Sequence, residues 1–124
     1  MSNQTKNPNA KIYDLEDRTA KFGEEIIDFV KTLLDNPINR PLISQIVRCA
    51  TSIGANYMEA DGAESKKDFF HKIGICKKES KETMHWLRMI ARANPDKKSE
   101  CGLLWQEVHE LTLIFSSIIS KNNK

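Results

Sequence analysis

Apolar positions in this chain recur every three and four residues in four separate stretches. Leu15, Thr19, Phe22, Ile26, Phe29 and Leu33 form the first seam, whose alternating spacing keeps one stripe of a helix turned to a core. It predicts a helix over 14–34, with Asp14, Glu16 and Asp17 in a first turn where carboxylates complement the helix dipole. Leu42, Ile46, Cys49, Ile53, Tyr57 and Ala60 predict a second helix over 42–61. Phe69, Ile73, Cys76, Ser80, Thr83, Leu87 and Ile90 predict a third, from a cap at Ser65 to Arg92. Leu104, Val108, Leu111, Phe115 and Ile118 mark the fourth, over 99–120.

The breaks have their own chemistry. Asp35-Asn-Pro-Ile-Asn-Arg-Pro41 ends the first helix because proline cannot continue the hydrogen-bond ladder. Gly62 is placed to cap the second helix, and Ser65-Lys-Lys-Asp68 resembles a capping box for the third. Asn94-Pro95 separates the third from the fourth. Four helices of similar length, ~30 Å each, with short connections favour antiparallel neighbours. The expected fold is all-α, an antiparallel up-down-up-down four-helix bundle over 12–121, preceded by a flexible polar tail over 1–11. No strand-like alternation competes with it.

Composition narrows the class. The chain has 124 residues, 40% hydrophobic and 29% charged, which suits one globular domain. Its apolar runs are far shorter than the ~20 residues that span a bilayer, and its start lacks the apolar core of a signal peptide. Three cysteines, Cys49, Cys76 and Cys101, lack CxxC spacing and fit a reducing, cytoplasmic setting. Cys49 and Cys76 read as small buried hydrophobes. Cys101 stands near a helix start, where a thiolate is favoured, but no histidine or acid motif accompanies it.

Catalytic and metal motifs are not evident. A di-iron bundle needs Glu-x-x-His on two helices, and only Glu82-Thr-Met-His85 has that spacing; Glu107-Val-His109 does not. There is no nucleophile elbow and no phosphate loop. The reading is therefore not an enzyme, with no metal and no cofactor. Apolar residues off the seams, among them Ile27, Val30, Leu34, Trp86, Met89, Trp105 and Ile119, are either the edges of wide stripes or a second buried surface between subunits.

Two polar features remain. Gln45, Arg48, Ser52, Asn56 and Glu59 form a narrow stripe on the second helix, beside Ala50, Gly54 and Ala55, which permit close backbone approach. In an antiparallel hairpin Arg48 lies level with the third helix, so it is expected to pair with Glu79 first and Glu82 second. The third helix region, 65–92, carries eight Lys and Arg against three acids, leaving +5 in a chain of net charge +2. Lys77, Lys81, His85, Arg88 and Arg92 follow one another by three or four, making one basic ridge. Such a ridge suits phosphate backbones; it also suits solvent, or an acidic face of a neighbouring subunit. Trp86, beside it, reads as packed rather than stacked on a base.

Several segments carry a family resemblance. Tyr13-Asp-Leu-Glu-Asp-Arg-Thr-Ala-Lys-Phe22 resembles the opening of the bacterial four-helix-bundle proteins encoded in intervening sequences of the large-subunit ribosomal RNA gene. Arg48-Cys-Ala-Thr-Ser-Ile-Gly-Ala-Asn-Tyr-Met-Glu-Ala60 resembles their central signature. Ser65-Lys-Lys-Asp-Phe69, Lys77-Lys-Glu-Ser-Lys-Glu82, Glu110-Leu111 and Ile118-Ile119 are similar to their last two helices. Arg48, Ser52, Asn56, Glu59, Glu79 and Glu82 fall within these signatures, while Gly74 and Cys76 depart from the expected apolar residues. The resemblance implies a homopentamer. Through a related branch, the accessory variability determinant of diversity-generating retroelements, it also implies binding to RNA or DNA and to a reverse transcriptase. Two classes of function follow. One is a nucleic-acid-binding accessory protein that uses the ridge. The other is an assembly or adaptor protein whose ridge meets subunits or protein partners.

Overall fold

The computed structural model describes residues 14–123, so the tail expected over 1–11, and Ile12 and Tyr13 of the expected bundle, lie outside the described residues. Four α-helices follow one another: α1 (Leu15–Val30), α2 (Asn39–Asp61), α3 (Lys66–Ala93) and α4 (Lys98–Ser120). Short 3-10 turns cover Pro95–Lys97 and Lys121–Asn123, and no strand occurs among the described residues. Each helix packs on its sequence neighbour. The α2–α3 and α3–α4 pairings are the most extensive, and α1 meets α4 along a thinner seam. The order is that of an up-down-up-down four-helix bundle. None of the described helices is long and apolar enough to cross a membrane.

The four predicted seams converge on one core. Phe22 and Phe115 are its largest fully buried side chains, joined by Leu15, Ile26, Ile46, Ile53, Ile73, Leu87, Ile90, Val108 and Leu111. Each such side chain contributes about 1.5–3 kcal/mol through removal from water. Thr19, Ser80, Thr83 and Thr112 sit inside it because each hydroxyl donates to the carbonyl four residues earlier in its own helix. Gly54 matters for closeness: a methyl group there would stand 3.4 Å from the backbone of Thr19 and Ala20. The small stripe of α2 thus receives α1.

Helix ends differ from the seam-based expectation where local hydrogen bonds decide. α1 stops at Val30 instead of Leu34, because Thr32 and Leu33 turn back through i−3 bonds to Phe29 and Val30. Leu33 still packs inward, while Leu34 is left exposed. α2 starts at Asn39, ahead of Pro41, which the first turn tolerates because its missing N–H has no partner there. The Asn36 side chain accepts from the backbone N–H of Ile38 and Asn39 and sets this start. Ser65 caps α3 as expected, its hydroxyl oxygen accepting from Asp68 N–H at 3.1 Å. Gly62 does follow α2, but with φ −96°, so the left-handed freedom of glycine is not what the cap uses.

Candidate nucleic-acid interface

The outer face of α3 carries the predicted ridge intact. Lys81, His85, Arg88 and Arg92 are exposed and Lys77 is half-buried. Among the described residues none of these five side chains is in an ion pair, although several other basic residues are. The His85 ring stands edge-on to Trp86, with centroids 4.9 Å apart.

Two of the three acids of α3, Glu79 and Glu82, are turned the other way, toward α2. Arg48 reaches Glu79 at 3.4 Å and makes a closer contact with Glu82. The expected order of partners is therefore reversed. Glu82, on the outer edge of the α2–α3 contact, can move to meet an arginine that is half exposed, whereas Glu79 is tucked beneath. Gln45 accepts from Arg48, and Trp86 donates its indole N–H to Glu82 at 2.9 Å. The Trp86 hydrogen bond, opposed by burial and aided by Arg48 and Lys78, holds the Glu82 carboxyl below its usual range. Asn56 donates to the backbone carbonyl and hydroxyl oxygens of Ser52 at 2.9 Å, and Lys72 pairs with Glu59. The polar stripe of α2 is thus an α2–α3 surface network, and Trp86 is committed to it.

On the far side of the bundle Arg18 closes the α1–α4 seam. It donates two parallel hydrogen bonds to Glu107 and a third to Glu110, each 2.8 Å. The periodicity did not point to Arg18, which lies just off the first seam; only the docking of α4 beside α1 gives it partners. Between α1 and α2 runs an open groove floored by Ala20, Gly23, Gly54 and Ala55. Ile27 and Met58 are exposed along it, and Glu16, Asp17 and Glu24 rim it.

Other candidate chemistry does not assemble. The described residues contain no cluster of three His, Cys, Asp or Glu side chains able to hold a metal. Cys49, Cys76 and Cys101 are all free and buried. Burial, with Glu100 nearby, pushes the Cys101 thiol up to about 11, away from the thiolate that a helix start favours. Trp105 and His109, four apart on α4, are a pair that the sequence reading did not join. The two rings in fact stack, with centroids 4.8 Å apart and planes 20° from parallel.

Comparison with known proteins agrees with this architecture. Nothing among curated proteins matches the chain. A crystal structure at 1.70 Å resolution of a protein with unknown function from the S23 ribosomal protein family of Bacteroides thetaiotaomicron VPI-5482 superposes with a TM-score of 0.81. The two chains share 31% identity, and the match covers 89% of this chain and 98% of the other. The family model described as 23S rRNA-intervening sequence protein matches residues 12–117. The packed seams, the α2–α3 polar network and these matches together place the chain in the family of 23S rRNA-intervening sequence proteins.

Proposed function

We propose that this protein is a non-enzymatic, oligomeric accessory protein that binds RNA or DNA backbones through Lys77, Lys81, His85, Arg88 and Arg92. The observation that carries the reading is the separation of charge on α3. Two of its three acids, Glu79 and Glu82, are engaged by Arg48, while its ridge cations have no carboxylate partner among the described residues. Cations spaced by one helical turn along a face several turns long match the repeat of a phosphate chain well enough for non-specific contact. No set of side chains on the ridge suits base-edge readout, so affinity comes from phosphates. Assembly into a ring, a homopentamer in this proposal, multiplies the ridge around an axis and strengthens its field. The exposed Ile27 and Met58 along the small-residue groove support a subunit contact there.

The acidic rim of that groove also favours a second reading, in which the ridge of one copy docks on the groove of the next. One pair of measurements separates the two. Under the first reading, Lys81→Glu/Arg88→Glu weakens RNA and DNA binding alike and flattens its salt dependence, which is about −0.9 in log–log slope per contacted phosphate on duplex DNA. Light scattering still gives an oligomer several times the 14.2 kDa chain. Under the second, the double variant falls to monomers and the wild type binds neither nucleic acid at low salt.

A further inference from the structure

From the placement of α3 against α4, we infer that the ridge is one wall of a binding surface for unpaired nucleobases, with Trp105 as its stacking platform. The inference rests on the nucleic-acid reading above and specifies its ligand: single-stranded rather than duplex RNA or DNA.

Two registers bring the parts together. On α3, Glu82 and Lys72 face α2 because Arg48 and Glu59 hold them. Lys77 and Arg88 lie roughly 120–160° around the helix from both, on the flank toward α4, with Lys81 beside them. On α4, Glu107 and Glu110 face α1 because Arg18 holds them. Trp105 lies roughly 140–160° around the helix from both, on the flank toward α3, with His109 one turn farther along beside it. The connection between the helices is a single 3-10 turn at Pro95–Lys97, so residues equally far from it stand level. His85 and Trp105 are each about two turns from that connection. The stacked rings therefore lie beside the middle of the ridge.

Trp105 is suited to the task in a way that Trp86 is not. The Trp86 indole N–H is bound to Glu82 and its ring is half-buried. Trp105 is 40% exposed, and every other described Phe, Tyr and Trp is buried or half-buried. Its only described ring contact is the stack on His109. An exposed indole beside a row of cations is the combination by which single strands are held: the cations follow the backbone and the ring takes a base face. In a duplex the bases are already stacked on each other and are not available to the indole.

The test uses the full chain with three fluorescein-labelled strands of equal length: oligo-dT, the same strand made abasic, and a DNA duplex. Wild type is expected to bind oligo-dT more tightly than the abasic strand. Trp105→Ala should lose roughly 5- to 150-fold on oligo-dT, the range for removing one stacked base, and Trp105→Phe should recover most of it. Duplex and abasic binding should change less than about twofold in both variants. Equal wild-type affinity for oligo-dT and the abasic strand overturns the stacking inference and leaves the backbone reading standing. It does so even if Trp105→Ala fails to fold, because the abasic comparison uses only the wild type. Binding of none of the three strands overturns both.

Discussion

Asn39 and Asn94 exchange two side-chain amide hydrogen bonds across the bundle, at 3.1 and 2.9 Å, and both residues are buried. Asn39 also donates to the Leu34 carbonyl and Asn94 to the Ile90 carbonyl. The pair ties the α1–α2 connection to the end of α3. Asn94→Ala should destabilise the protein by roughly 1–3 kcal/mol, since the Asn39 amide is left buried without its partner. Asn39→Ala should do the same, and the double variant should lose less than the sum of the two. Urea unfolding of the four proteins measures this; strict additivity would contradict a direct amide pair.

Arg48 is 50% exposed, but Glu79 beneath it is only 11% exposed. The pair is therefore neither a surface bridge nor a fully buried one. Arg48→Ala should cost roughly 1–3 kcal/mol, more than the median surface pair, because it leaves the Glu79 carboxylate poorly solvated. Glu79→Gln in the Arg48→Ala background should recover part of the loss by removing the stranded charge. Chemical denaturation at neutral pH reads both steps. No recovery on adding Glu79→Gln would mean that Arg48 acts through Glu82 or Gln45 alone.

The three thiols give the stability a defined alkaline limb. Burial pushes Cys49 up to about 11, Cys76 to about 12 and Cys101 to about 11. In the unfolded chain they ionise near 8.5. Their folded values are raised, so the stability they lend is intact below about pH 8.5 and is lost as pH rises through the folded values. Unfolding free energy should accordingly fall between about pH 9 and 11, and less steeply in Cys76→Ala. Native protein at pH 8 should react with iodoacetamide far more slowly than protein in denaturant. Equal rates would contradict the burial of these thiols.

Much of the fold was legible in the periodicity alone. Every seam residue from Leu15 to Ile118 is buried or half-buried, because a helix with one apolar stripe has one way to remove it from water. The breaks at Gly62, Ser65 and Asn94-Pro95 were legible because capping and proline chemistry are local. So was the ridge on α3, since its residues share one helix and its spacing needs no partner to define it.

What the sequence could not rank were relations between helices. It placed Arg48 level with Glu79 and Glu82 but ranked them in the wrong order, because which carboxylate lies nearer depends on how deeply each edge of α3 sinks against α2. It marked Asn94 as a breaker and did not show that Asn39 lies opposite. It offered no partner for Arg18, because α1 and α4 are the elements farthest apart along the chain. Nor did it show that the Trp105 ring stacks on His109. One-dimensional spacing fixes which residues share a face of a helix. Only the rotation and depth at which the four helices dock decides which faces meet, and those are set by the packing of the whole core at once.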